Sequence, residues 1–192
     1  MEAVYLDTET TGLDHRVNEL LEIGIIDGEG RVLVDSLIKP IMKKSWEEAE
    51  KINHISPKMV ANSPSIDLIK DAIIKAVKGK VVYIWNAKFD ISFLPFVAEH
   101  AKEVVCAMAE FGAYIERTQP QNRSQSGRYK MTYVANDLGI ATENAHRAID
   151  DTRIMLAIRE CYLSSTFNRT DLTGSVGIQG YQPISTKGQS ND

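Results

Sequence analysis

The chain has 192 residues, of which 43% are hydrophobic and 25% are charged, and its formal net charge is −4. A chain of this length can bury a core as one domain without disulfides, and no apolar run in it approaches the ~20 residues that a membrane helix needs. The acidic balance argues against a protein that coats nucleic acid by charge alone, unless clustered acids hold cations that attract phosphate.

Two features predict a cytoplasmic protein. The N-terminal segment lacks the basic stretch and the long apolar core of a signal peptide. Cys106 and Cys161 are far apart in sequence, which indicates neither a disulfide framework nor a CxxC metal site. We therefore expect a reducing compartment and no membrane association.

The first forty residues predict an antiparallel meander. Apolar, β-prone runs cover 3–6, 21–26 and 31–38, and the turn-forming residues 27–30 join the last two. Short helices are predicted next by three cap-like motifs, namely Ser45 with Glu48, Ser56-Pro57 and Ser63-Pro64.

The remainder of the chain alternates helix and strand. Helices are predicted over 66–77, 131–138 and 147–163, strands over 81–85 and 103–107, and an exposed loop over 118–128. This order predicts one α/β domain that covers 1–164. The residues 165–192 contain few apolar side chains, and we predict a disordered C-terminal tail there.

Asp7 and Glu9 are two carboxylates at the end of the first apolar strand. Residues two apart in a strand point to the same side, so both acids are expected to project together. Two like charges this close raise each other's pKa unless a cation lies between them, and hard oxygen ligands suit Mg²⁺ or Mn²⁺. A solvated strand end is the alternative for such a pair alone.

Three later residues repeat this chemistry. Asp90 follows the fourth strand, although Asp is also a common helix cap. His146 and Asp151 lie where the last helix begins, and Asp151 is on the apolar stripe of that helix, where an unpaired carboxylate is costly. Arg147 or Arg153 could pair with it.

These residues lie in three ordered motifs that resemble those of the DEDDh (DnaQ-like) 3′-5′ exonucleases, a family that includes exonuclease X, ribonuclease T and the proofreading subunit of bacterial DNA polymerase III. The motifs are Tyr5-Leu6-Asp7-Thr8-Glu9-Thr10-Thr11-Gly12-Leu13, Asn86-Ala87-Lys88-Phe89-Asp90 and His146-Arg147-Ala148-Ile149-Asp150-Asp151. Histidine five residues before the last acid matches the histidine branch of the family. The resemblance covers about residues 3 to 163.

The resemblance implies a ribonuclease H-like α/β fold, with a mixed five-stranded sheet flanked by helices. It also implies that two Mg²⁺ or Mn²⁺ ions are bound by Asp7, Glu9, Asp90 and Asp151. We expect Asp7, which is nearest the centre of the strand edge, to be the bridging ligand. His146 is then the general base, since its ordinary pKa of ~6.5 suits proton transfer near neutral pH.

The expected substrate is the 3′ end of single-stranded or frayed nucleic acid, DNA more than RNA, with nucleoside 5′-monophosphates as products. The predicted substrate contacts are Thr10, Thr11, Leu13, His54 and Asn86, of which His54 and Asn86 are equally well explained as loop or turn residues. Trp85 and Ala107 depart from the family pattern, which leaves strand preference open. The candidate partners are a second copy of the chain and a polymerase, in a setting such as DNA repair.

Two rival functions use the same fold. One is a catalytically silent nucleic-acid-binding or scaffold module, which usually lacks a ligand residue, whereas all five are present here. The other is a ribonuclease H-type endonuclease, against which the spacing between His146 and Asp151 speaks.

Overall fold

A mixed five-stranded sheet forms the centre of the computed structural model, which describes residues 2–143 and 145–164. The strands are β1 (Ala3–Thr10), β2 (Leu20–Asp27), β3 (Val32–Leu37), β4 (Val81–Ile84) and β5 (Glu103–Cys106). Their order in the sheet is β3-β2-β1-β4-β5. The β1–β2 and β2–β3 pairs are antiparallel, and the β1–β4 and β4–β5 pairs are parallel. The predicted meander and mixed sheet are therefore confirmed.

Helices cover both faces of this sheet. They are α1 (Glu47–Asn53), α2 (Pro57–Val60), α3 (Ile66–Val77), α4 (Ala87–Phe93), α5 (Pro95–His100), α6 (Ala107–Thr118), α7 (Met131–Asp137) and α8 (Ala148–Leu163), with a 3₁₀ turn at Pro120–Asn122. Among the residues that the structure describes, no helix has both the length and the apolar character needed to cross a membrane.

Three local predictions need correction. Helix α1 is preceded by Trp46 rather than by a Ser45 capping box, because the Trp46 indole is buried and donates to the Ile55 carbonyl, Nε1–O 2.6 Å. Helix α3 matches the helix predicted over 66–77, whereas Ser63 and Pro64 precede it and do not begin a helix. Helix α6 was not predicted, although its buried residues Ala107, Phe111 and Ile115 recur at helical spacing. The predicted tail, 165–192, lies outside the described residues.

The sheet separates two apolar cores. Val4 and Leu6 on β1 face the core beneath α3 and α5, whereas Tyr5 faces the core beneath α6, α7 and α8. This alternation continues to the end of the strand, so Asp7 and Glu9 follow Tyr5 on the side of α8. Since β1 and β4 run parallel, the chain leaves both strands at the same edge of the sheet. That edge carries the candidate site.

Candidate active site

Asp7 and Glu9 lie inside β1, which continues past its apolar residues as far as Thr10. In the pairing with β2, Asp7 is opposite Gly24 and Glu9 is opposite Glu22. Both acids are half-buried, because α8 packs against β1 and β2 on this face. The register therefore fixes both acids beneath the start of α8.

Asp90 is the fourth residue of α4, and it is not the cap, since Asn86 occupies that position. Its carboxylate is buried and accepts a hydrogen bond from the Thr8 hydroxyl, Oγ1–Oδ1 2.7 Å. Thr8 lies between the two acids of β1. This hydrogen bond links Asp90 to the strand that carries Asp7 and Glu9.

His146 and Asp151 enter the site from the beginning of α8. The His146 backbone has φ of 75°, the left-handed region that non-glycine residues seldom adopt. Its N–H donates to both carboxylate oxygens of Asp151, each at 3.3 Å. Ligand atoms of Glu9, His146 and Asp151 all lie within 4.8 Å of one another, a spacing that could hold a metal ion. The left-handed conformation therefore occurs where His146 lies close to Asp151 of α8 and to Glu9 of β1.

The arginines that were expected to pair with Asp151 have other partners. Arg147 binds Glu22 and Arg153 binds Asp150. The backbone N–H of His146 interacts with Asp151 instead. The prediction of an arginine partner was therefore wrong, and the Asp151 carboxylate remains directed toward the other acids.

Burial raises the pKa of every acid in this cluster, and repulsion from nearby carboxylates adds to the effect for Asp7, Glu9 and Asp151. Burial is the largest cause for Asp7, whose pKa is raised further by Asp90, Asp151 and Glu9. The pKa of Glu9 is raised to about 8, by burial and then by Asp151. Burial also raises the pKa of Asp90, against the Thr8 hydrogen bond, and that of Asp151. Such a cluster of like charges favours bound protons or a bound cation.

The His146 ring experiences the opposite effect. Burial lowers its pKa, and the nearby positive groups Lys130 and His54 lower it further. The imidazole is therefore neutral over a wider range of pH than a free histidine, which is the form that accepts a proton.

The five residues predicted to contact substrate have different environments. Leu13 is 85% exposed, and His54 and Asn86 are also exposed. Thr10 and Thr11 are buried, and their hydroxyls donate to the Gly12 carbonyl and to Asn18 within the turn after β1. The two threonines therefore shape the turn that presents Leu13.

The sequence predicted a functional role for His54 but none for its neighbour Asn53. The Asn53 amide is buried and donates to the Thr10 carbonyl, Nδ2–O 3.3 Å, and its side chain lowers the pKa of Glu9 by hydrogen bonding. His54 instead ends α1 with φ of 57°, at a position that favours glycine. No local signal distinguishes the two, because both are polar residues at the end of one short helix.

Trp85, one of the two departures from the family pattern, lies in the core beside α6. Its indole is buried and donates to the Tyr129 carbonyl, Nε1–O 2.8 Å. Tyr129 in turn accepts from the Ser124 backbone N–H, Oη–N 3.0 Å. Trp85 therefore fastens the loop before α7, the segment that ends at Lys130 next to His146.

Comparisons with known proteins agree on the family. The exonuclease family model RNase_T matches residues 4–158. The chain is 31% identical over 155 residues to the PolC-type DNA polymerase III of Thermotoga maritima, covering 79% of this chain and 11% of that protein. It is 28% identical over 155 residues to the DNA polymerase III subunit epsilon of Treponema pallidum, covering 79% and 72%. It is 30% identical over 171 residues to the exonuclease CP81 of Escherichia phage 186, covering 81% and 84%.

Solved structures show the same fold. Exonuclease X in complex with 5′-overhanging duplex DNA superposes with a TM-score of 0.64 at 22% identity, covering 85% of this chain and 92% of that one. E. coli exonuclease I in complex with a dA16 oligonucleotide gives 0.68 at 16% identity, covering 89% and 42%. The chain spans only 11% of the PolC-type polymerase, so the comparison concerns a domain of that protein. The chain belongs to the RNase_T exonuclease family, as a DnaQ-like DEDDh member with a ribonuclease H-like fold.

Proposed function

We propose that the chain is a metal-dependent 3′-to-5′ exonuclease, which removes nucleoside 5′-monophosphates one at a time from single-stranded or frayed ends. The observation that carries the proposal is the meeting of Glu9, Asp151 and His146 within 4.8 Å, beside Asp7 and Asp90. Membership of the exonuclease family supports it.

The donor set fits divalent cations. Four carboxylates with raised pKa values lie at the edge of the sheet, where a bound cation would stabilise their ionised forms. Carboxylate oxygens are hard ligands, which suit Mg²⁺ or Mn²⁺. Asp7, Glu9, Asp90 and Asp151 would hold two such ions, with Asp7 as the shared ligand. When bound, a pair of ions activates water and stabilises the leaving oxygen of a phosphodiester.

His146 is proposed as the general base. Its lowered pKa favours the neutral form of the ring, and it lies beside Glu9 and Asp151. The ring would accept the proton of the water that attacks the terminal phosphodiester. Its backbone bond to Asp151 holds the base and one ligand in a fixed relation during that transfer.

The residues around the site suggest how the last nucleotide would be held. Leu13 presents an exposed aliphatic side chain that can pack against a terminal base, and such contacts tolerate any base. Asn86 and His54 are exposed polar residues that can meet the sugar and the phosphate. Because the terminal nucleotide must leave a duplex to reach the acids, single strands and frayed ends are the proposed substrates.

The names of the relatives favour DNA over RNA and a polymerase setting. Two of them are components of DNA polymerase III, and the exonuclease X structure contains duplex DNA. We propose DNA 3′ ends as the substrate, in replication or repair, with a polymerase as a candidate partner.

The proposal is tested with purified protein and 5′-labelled single-stranded DNA, duplex DNA and RNA, each with and without Mg²⁺. A ladder shortened one nucleotide at a time from the 3′ end, and lost in His146→Ala, is expected. Internal cuts would indicate the ribonuclease H-type rival. Substrate that is bound but left intact would indicate the scaffold rival.

A further inference from the structure

Glu22 on β2 is a fully buried acid that the proposed chemistry does not use. Its carboxylate accepts from Arg147 Nε at 3.0 and 3.1 Å and from Arg147 Nη2 at 2.6 Å. It also accepts from the Ala148 backbone N–H at 3.0 Å. Both oxygens are therefore engaged by the beginning of α8, so Glu22 is an anchor and not a metal ligand.

Arg147 connects Glu22 to the candidate active site. It follows His146 directly, and its carbonyl accepts from the backbone N–H groups of Asp150 and Asp151, each at 2.9 Å. The arginine precedes α8 without a side-chain cap bond of its own. Glu22, on β2, thus accepts a hydrogen bond from a backbone N–H at the N-terminus of α8, which the side chain of the cap residue does not provide.

Gly24 shows how closely α8 lies on the same part of β2. A Cβ atom at Gly24 would come within 2.6 Å of the Ala148 carbonyl carbon and the Ile149 nitrogen. Glu22 and Gly24 are also the β2 partners of Glu9 and Asp7. Two alternate residues of β2 therefore align the two acids of β1 and seat the first turn of α8.

We propose that Glu22 and Arg147 are a positioning pair for the exonuclease site. They set His146 and Asp151 at the correct distance from Glu9 and Asp7 without touching substrate or metal. This inference rests on the proposed function. The charge of the pair matters as well, because the Arg147 guanidinium offsets the negative charge of Glu22, which lies opposite Glu9 in the pairing of β1 with β2.

The test compares Arg147→Met and Arg147→Lys with Arg153→Met. Methionine keeps most of the aliphatic volume but removes the guanidinium group. Lysine keeps the charge but cannot make the two-point contact with the carboxylate. Arg153 lies on the same helix and makes an exposed ion pair with Asp150, Nη1–Oδ1 2.9 Å, so it is a matched control. For each variant, kcat and KM are measured on 5′-labelled single-stranded DNA, and Mn²⁺ affinity is measured without substrate.

We expect Arg147→Met to lower kcat and Mn²⁺ affinity, each by about 10- to 100-fold, the loss typical of residues that orient metal ligands, with KM within about twofold. The kcat and Mn²⁺ affinity of Arg147→Lys should fall between those of Arg147→Met and the wild type. Arg153→Met should match the wild type in both. Unchanged kcat and Mn²⁺ affinity with a lower melting temperature would overturn the proposal in favour of a structural pair. A raised KM at unchanged kcat would overturn it in favour of a phosphate contact.

The two proposals fail separately in this design. If the wild type does not degrade DNA, the exonuclease proposal fails, while the loss of Mn²⁺ affinity in Arg147→Met still tests the positioning pair. If Arg147→Met does not fold, Arg147→Lys and Glu22→Gln, which preserve volume, decide the result by the same two measurements.

Discussion

Thr8 on β1 donates a hydrogen bond to Asp90 on α4, Oγ1–Oδ1 2.7 Å, across 82 positions of sequence. The bond is buried and joins the strand with the first two acids to the helix with the third. It opposes the effect of burial on the Asp90 pKa, because a donor stabilises the ionised carboxylate. Thr8 therefore helps to keep Asp90 in the form that binds a cation.

Replacing Thr8 with Val should weaken metal binding. Valine keeps the shape of threonine but removes the donor, so the pKa of Asp90 rises further. We expect the Mg²⁺ concentration for half-maximal activity to rise roughly tenfold, and the unfolding free energy to fall by about 1–3 kcal/mol because a buried acceptor loses its partner. A Mg²⁺ titration of the initial rate and urea unfolding measure the two effects. Thr8→Ser keeps the hydroxyl and is the control, and a Val variant with the wild-type Mg²⁺ dependence would remove Thr8 from the account.

The metal-free protein should become less stable as pH rises. The folded-state pKa values of Asp7, Glu9, Asp90 and Asp151 are raised, so the folded chain holds protons that the unfolded chain releases. Their contribution to stability is present at low pH and is lost as pH rises through the folded-state values, which for Glu9 means from its ordinary 4.5 to about 8. Mg²⁺ should reverse this loss, since it replaces the protons.

Thermal melting in EDTA and in Mg²⁺ tests this across the same pH range. The rise in melting temperature on adding Mg²⁺ should grow with pH. Asp7→Asn should raise the melting temperature in EDTA at about pH 8 by about 2–8 °C, equivalent to 1–2 kcal/mol at this chain length, and abolish activity. Equal Mg²⁺ stabilisation at every pH would contradict the assignment of these acids to a cation site.

His54→Gly separates backbone strain from substrate contact. His54 has φ of 57°, where glycine is unstrained, so the change should stabilise the fold by about 0.5–1 kcal/mol. If His54 also contacts the nucleotide, KM should rise while kcat stays the same. Urea unfolding and steady-state kinetics give the two answers independently. His54→Asn, which tolerates this conformation, should show the same KM effect with less stabilisation, and a variant less stable than the wild type would contradict the strain.

Most of the site could be predicted from sequence because its residues occur in local patterns. The alternation of β1 correctly placed Asp7 and Glu9 on one side, and the apolar stripe of α8 correctly placed Asp151 inward. Glu22 could not be recognised as a positioning residue. It lies within the apolar run of β2, and its partner, Arg147, is 125 positions away. Trp46 could not be predicted as the residue before α1, because its indole bond depends on a loop nine residues later. Contacts between distant elements, and not local propensity, determined these cases.

Arg159 should control stability without affecting the chemistry. Its guanidinium donates to Glu110, Nε–Oε2 2.8 Å, and to Tyr83, Nη2–Oη 2.8 Å, and lies 3.7 Å from the Tyr83 ring centroid. Only 16% of its side chain is exposed, so Arg159→Met leaves the half-buried Glu110 carboxylate without its cation. We expect a loss of about 3 kcal/mol.

That loss corresponds to a fall of about 6–12 °C in melting temperature. Catalytic rates measured well below melting should be unchanged, because Arg159 lies about 12 Å along α8 from Asp151. Arg31→Met, which removes an exposed ion pair with Asp27, should change stability by less than about 1 kcal/mol. A reduced kcat in a folded Arg159→Met protein would show that the far end of α8 is coupled to the site.

The proposed function requires that the acids on β1, α4 and α8 together cut the terminal phosphodiester at a 3′ end. Mass spectrometry of the first product released from an oligonucleotide with distinct terminal bases, in Mg²⁺, tests it most directly. We expect the 3′-terminal nucleoside 5′-monophosphate from the wild type and no product from Asp7→Asn or Asp90→Asn. Release of the 5′-terminal nucleotide or of longer fragments, or equal release by the two variants, would contradict it.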